Sequence, residues 1–141
     1  MHIGDFGLAL IKSCEGMKLD AYQDTGGVWT IGYGHTLGVK KGDTITPGEA
    51  ERLLVEDIGS HDITPLLNGC PTKQTQFDAM TSLAFNIGME RFRNSTVLKR
   101  HKLQNYLGAA NAFLLWVYDN GRREPGLVKR RELERKLYLA P

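Results

Sequence analysis

Two cysteines in 141 residues, Cys14 and Cys70, are too few for a disulfide-stapled secreted scaffold, and no Cys-x-x-Cys or His/Cys ligand spacing accompanies them. Both read as reduced, buried thiols, and the sequence calls for neither a metal nor another cofactor. The four histidines, His2, His35, His61 and His101, include no pair at the close spacing of a helical zinc motif. Long apolar runs are missing too. The stretch FGLALI is preceded by Asp5 and followed at once by Lys12 and Glu15, which fits neither a signal peptide nor a membrane span. The expectation is a chain made in the cytoplasm. No internal repeat, low-complexity tract or long linker is present, so no separate binding module is expected.

Charge is nearly balanced overall, at +2, but it is unevenly spread. Residues 1 to 70 hold five Lys/Arg against ten Asp/Glu, whereas residues 71 to 141 hold thirteen against six. Most of the basic charge lies in RFRNSTVLKRHK and GRREPGLVKRRELERK, where aromatics are scarce. This pattern reads as solvated helix faces, not as a specific nucleic-acid surface.

The chain has room for one domain with a substantial core, or for two small lobes sharing a helix. Ile3, Phe6, Leu10 and Cys14 recur at helical spacing, which predicts a helix over 3–15 ending before Gly16. Leu8, Ile11 and Glu15 fall at i, i+3 and i+7, so Glu15 borders an apolar stripe. An Asp-Thr-Gly-Gly turn between strands near 19–23 and 28–33 predicts a hairpin. Thr46-Pro47-Gly48-Glu49 is a capping box, and the helix it opens is expected to carry Leu54 and Ile58 toward Pro65. After Cys70-Pro71, Phe77, Met80, Ala84 and Ile87 mark a helix buried along one face. Shorter helices are expected near 95–104, 108–118 and 126–138, separated by 105–107 and by the Asn-Gly/Pro-Gly segment 120–126. The fold class is α+β and mainly helical. Its expected parts are a β lobe over about 16–46, a linking helix over about 47–68, and a helical lobe over about 71–141 joined by helix 3–15.

The run CEGMKLDAYQDTGGVWTIGYGHT holds Glu15, Asp24 and Thr30. A helix C-terminus and apolar neighbours disfavour a charged carboxylate, which suits Glu15 to donate a proton. The polar turn around Asp24 suits a charged base or charge stabiliser. Such a split between two carboxylates is what cleavage of a sugar bond needs. Structural readings stand beside it. A Glu before a helix-ending Gly and an Asp opening a Gly turn are both common, and Thr30 in a strand is by default a propensity choice.

Glu15, eight residues, Asp24, five residues, Thr30, set in E-G-x-K-L-x-A-Y-x-D-x-x-G-x-x-T-I-G-Y-G-H-T, resembles the phage-type lysozyme (endolysin) family, that of the T-even phage lysozyme and the lambdoid-phage endolysins. The resemblance continues through TPGEAERLLVED (46–57), FNIG (85–88), NST (94–96) and GLVKRRELE (126–134). It implies a lysozyme-like fold and an inverting muramidase that hydrolyses the β-1,4 bond between N-acetylmuramic acid and N-acetylglucosamine in peptidoglycan, lysing the host. Glu15 matches the family's general acid, Asp24 its second carboxylate, and Thr30 the threonine that positions water. His35 matches a family histidine, read either as a substrate contact or as a structural ion pair or hairpin hydrogen bond. The resemblance also offers Asn86 and Ser95, as lining of the sugar site or as helix caps, and Arg130 or Arg131 as a residue approaching Glu15. The resemblance further implies a monomer with no cofactor, released by a holin from the host cytoplasm to the periplasm. The basic half, through Arg122, Arg123 and Lys129, would draw the enzyme to anionic wall or outer-membrane polymers.

Competing readings are a lytic transglycosylase, a zinc amidase and a thiol peptidase using Cys14 with His35. The peptidase is opposed by the acidic neighbour Glu15, which works against a reactive thiolate.

Overall fold

In the computed structural model, which describes residues 1–141, helix α1 runs from Asp5 to Glu15 and stops against Gly16 at φ +68°. A left-handed residue after the last turn is where glycine carries no Cβ penalty. Ile11 is buried and Glu15 half-buried on the expected face. Phe6 departs from the expected stripe and is 77% exposed. The buried line passes instead through Gly7 and Ile11, because the glycine lets α1 approach Asp78. A Cβ on Gly7 would lie 2.6 Å from the Cβ of Asp78.

The chain divides into two units, Ile11–Ser60 and a larger one combining Met1–Leu10 with His61–Pro141. In the smaller unit, β1 (Lys18–Gln23) pairs antiparallel with β2 (Trp29–Gly32), Tyr22 opposite Thr30. The 43–45 segment adds to the outer side of β1, the Ala21 amide donating to the Asp43 carbonyl and the Ile45 amide to the Leu19 carbonyl. Helix α2 (Pro47–Gly59) opens with the capping box read from sequence. The Glu49 amide donates to Thr46 Oγ1 at 3.2 Å and the Thr46 amide to Glu49 Oε1 at 3.3 Å. Its buried face is Ala50, Leu54 and Ile58, spaced at i, i+4 and i+8. Lys12 Nζ meets Glu51 Oε1 at 2.6 Å, tying the end of α1 to α2.

The helix from Pro47 does not reach Pro65. It ends at Gly59, and a short helix α3 (Thr64–Leu67) takes Pro65 into its first turn, where a missing N–H costs nothing. Asp62 Oδ1 accepts from the Thr64 amide at 2.9 Å, and the Thr64 hydroxyl and amide hold the Asp62 carboxyl below its ordinary range.

The larger unit is built on α4 (Gln74–Ile87), α5 (Met89–Arg93), α6 (Thr96–Lys102), α7 (Tyr106–Ala112) and α8 (Pro125–Tyr138). Every residue of α4 from Gln76 to Ala84 is buried, so it is a central helix and not one buried along a single face. Its polar residues are used internally. Asp78 accepts from the Gly4 amide at 2.9 Å and the Gly7 amide at 3.3 Å, capping the start of α1. Around α4 the apolar core includes Ile63, Phe77, Met80, Leu83, Phe92, Val97 and Phe113. The expected 108–118 helix stops at Ala112 with one 3-10 turn to Leu115, and the Asn120-Gly121 turn joins a two-residue hairpin, β3 (Tyr118–Asp119) and β4 (Arg122–Arg123). Both cysteines are free but half-buried, not fully buried. No helix is long and apolar enough to cross a membrane.

His101 lies fully buried, with Nδ1 2.6 Å from Tyr138 Oη and Nε2 2.9 Å from Thr72 Oγ1. Burial holds its imidazole below the ordinary histidine range and pushes the Tyr138 phenol up. A neutral ring has one donor and one acceptor, which suits a chain running from the Tyr138 hydroxyl to Nδ1 and from Nε2–H to Thr72. The Thr72 hydroxyl then donates to the Cys70 carbonyl at 3.0 Å. Below about pH 6.5 the unfolded chain takes up a proton that the native ring resists, so stability rises with pH there and is fully present above that value. Thermal midpoints measured from about pH 5 to about pH 8 are expected to fall on the acid side, with a shallower slope in His101→Gln. An unchanged slope in the variant would place the acid sensitivity elsewhere.

Candidate active site

One strand organises the three residues singled out from the sequence. At the start of β2's approach, Asp24 Oδ1 accepts from the amides of Gly26 at 2.8 Å and Val28 at 2.9 Å. The Asp24 amide donates to the Val28 carbonyl at 2.9 Å, closing the turn, and Oδ2 takes no part in it. Thr30, within β2 and 4% exposed, donates its hydroxyl to the same Val28 carbonyl at 3.0 Å. Val28 is thus shared by Asp24 and Thr30. Past the end of β2, Gly34 adopts φ +84°, and a Cβ built there would lie 3.6 Å from Glu15 Oε2. Glycine suits that backbone geometry, in which L side chains are strained.

The turn at Gly34 is held on both sides. Ile31 and His35 exchange backbone hydrogen bonds of 2.9 Å in each direction. The His35 ring spans Asp57 Oδ2 at 2.9 Å from Nδ1 and the Leu37 carbonyl at 3.0 Å from Nε2. Both ring nitrogens are thus engaged by protein groups flanking the 31–37 turn.

Ser95 is buried and caps α6, its Oγ accepting from the Leu98 amide at 3.1 Å. Asn86 is exposed near the end of α4 and accepts from Arg131 Nη2 through Oδ1. Arg130 and Arg131 both address Glu134 within the larger unit, at 3.3 Å and 3.1 Å. Ser82 Oγ donates to the same carboxyl at 2.5 Å. Burial pushes the Glu134 carboxyl above its ordinary range, opposed by Arg131, Arg130 and Ser82.

Sequence reasoning missed three of these parts. Val28 carries its role in its peptide group, which no side-chain pattern reveals. Asp57 lies 22 residues from His35, beyond any local spacing rule. Ser82 and Glu134 are 52 residues apart, and the only cue was their polarity within otherwise helical, buried segments.

The phage lysozyme family matches residues 12–134. The chain is 48% identical to the endolysin of Acyrthosiphon pisum secondary endosymbiont phage 1, over 98% of each chain. Among solved structures, the endolysin from Escherichia coli O157:H7 phage FAHEc1 superposes with a TM-score of 0.87 at 37% identity, covering 99% of this chain and 94% of that one. The muramidase domain of SpmX from Asticaccaulis excentricus gives the same TM-score and identity over 100% of both chains. A shared fold and near-complete sequence coverage at these identities make the chain a member of the phage lysozyme family, a glycoside hydrolase of the lysozyme kind whose substrate is the peptidoglycan of the bacterial wall.

Proposed function

We propose that the chain is a muramidase, hydrolysing the β-1,4 bond between N-acetylmuramic acid and N-acetylglucosamine, with Glu15 as general acid, Asp24 as base or charge stabiliser and Thr30 as the water-positioning residue. The observation that carries this reading is the order along β2: Asp24 joined through Val28, Thr30 inside the strand, Glu15 beside Gly34 beyond it.

The hydrogen-bond directions suit these roles. Because the Thr30 proton goes to the Val28 carbonyl, its oxygen is left to accept one hydrogen of a water. Because the turn amides use Asp24 Oδ1, Oδ2 is left to accept the other. The water's lone pair would then attack the anomeric carbon as the glycosidic bond breaks. Glu15 gives its proton to the leaving oxygen, and Asp24 takes the proton lost by the water. His35 acts at one remove, by fixing the turn that carries Gly34.

Digestion of purified peptidoglycan followed by mass spectrometry tests the bond assignment. Fragments ending in reducing muramic acid support it. Fragments lighter by one water at that end would make the chain a lytic transglycosylase, and newly freed amines on intact glycan an amidase or peptidase. Asp24→Ala is expected to lower kcat by about 100-fold or more, with KM changed by no more than about threefold. A KM rise large enough to account for the whole loss would make Asp24 a substrate contact.

Action as a monomer, with release to the wall by a holin, belongs to the same reading. A dimer mass in sedimentation would remove the first, and lysis without any permeabilising partner the second.

A further inference from the structure

Between Glu90 and Asp119 the chain carries Arg91, Arg93, Lys99, Arg100 and Lys102 and no acidic residue. Part of this stretch lines a cavity of about 570 Å³ on the larger unit, bounded by Arg93, Thr96, Leu98, Lys99, Lys102 and Leu103 among others. Neither a carboxylate nor an aromatic ring lines it. Thr96, Lys99 and Lys102 recur at three-residue spacing and share one face of α6. Lys99 and Lys102 are exposed and make no ion pair, and Arg93 has only a loose, solvent-exposed partner in Glu90 at 3.8 Å. Arg100 is spent elsewhere, donating to the Gly108 carbonyl at 3.1 Å.

We propose that this cavity is an accessory binding site for the phosphodiester groups of an anionic polyol or sugar-phosphate polymer. Two ammonium groups along one helix face, with a guanidinium from the preceding helix, suit an anion that repeats along a chain better than a single point charge. The planar fork of Arg93 matches two phosphate oxygens, and the lysines act as point charges beside it. The 70%-exposed Leu103 offers apolar surface to the carbon backbone between phosphates. The absence of a lining aromatic removes the stacking platform that single-stranded nucleic acid uses. Residues 93–103 thereby stand beside Arg122, Arg123 and Lys129 as carriers of the basic function. This assignment does not depend on which residue is the catalytic acid.

The test is a titration of the isotope-labelled full chain with a glycerol-phosphate oligomer at low salt, followed by amide chemical shifts. Saturable shifts are expected at residues 93–103, weakening as salt is added. Lys99→Gln combined with Lys102→Gln is expected to reduce affinity about tenfold. Its thermal midpoint and its hydrolysis of soluble wall fragments should stay unchanged. Lys40→Gln with Lys41→Gln, which removes the same charge from the smaller unit, is expected to change affinity by less than about twofold. An equal loss in that control, or shifts centred outside 93–103, would overturn the site. Tighter binding at these residues by phosphatidylglycerol vesicles or by duplex DNA than by the oligomer would overturn the occupant.

Discussion

Glu15→Gln is expected to lower kcat on purified peptidoglycan by about 100-fold to 10,000-fold while the fold persists, the range a positioned acid contributes to bond cleavage. Glutamine keeps the length and planarity of the side chain, and its amide still forms hydrogen bonds, but it cannot hand a proton to the departing sugar oxygen. Glu15 occupies the last position of α1 before Gly16, with its Oε2 3.6 Å from where a Cβ on Gly34 would lie. An isosteric replacement there disturbs no helical backbone bond and introduces no volume. The checks are the release of reducing muramic acid ends and the thermal midpoint, measured on the same preparation. A folded variant that digests the wall at the parental rate would remove Glu15 from the mechanism. A variant that loses both activity and midpoint would point to structure, and Gly34→Ala would then probe the same space from the turn side.

Glu134→Ala is expected to destabilise the fold by about 3–5 kcal/mol. The carboxylate is 0% exposed and is addressed by Arg130, Arg131 and Ser82 at 3.3, 3.1 and 2.5 Å. Deleting it removes the negative charge those groups were folded around, in a medium where rehydration cannot compensate. A loss of this size in a chain of 141 residues corresponds to a fall in thermal midpoint on the order of 10 °C. Glu134→Gln retains an acceptor for Ser82 but no charge, and should fall between parent and alanine. Urea unfolding with an unchanged denaturant slope would confirm that stability itself has moved. A loss below about 1 kcal/mol would mean the cluster contributes little beyond orienting α8 against α4.

Local features were legible in advance, and features closed over long separations were not. The Thr46 to Glu49 capping box, the stop at Gly16 and the Asp24 turn each span a handful of residues, and all three appear where the sequence places them. Helix α4 was misjudged as one-sided because Asp78 and Ser82 look solvent-facing until their partners are known, and those partners lie 74 and 52 residues away. The break after Gly59 has no marker in the Leu54 and Ile58 spacing, and the Asp62 to Thr64 contact restarts the chain as α3. The β3–β4 hairpin has two residues per strand, too short for any alternation to register, although Asn120 and Gly121 both take the positive φ that its turn needs. In the candidate site, residue types pointed to Glu15, Asp24 and Thr30. The peptide of Val28, which joins two of them, has no signature in side chains.

The split of the larger unit into residues 1–10 and 61–141 has a consequence for the order in which the molecule is made. Glu15 leaves the ribosome ahead of Asp78, in a synthesis that runs at about 5–20 residues per second. Asp78, whose carboxyl holds the Gly4 and Gly7 amides, emerges more than sixty residues afterwards. Until then the leading turn of α1 lacks the group that caps it, and an isolated helix of that length is marginal in water. Closing so wide a loop is also the slow kind of step in folding. The helix bearing the candidate acid is therefore translated well before the group that secures its leading turn.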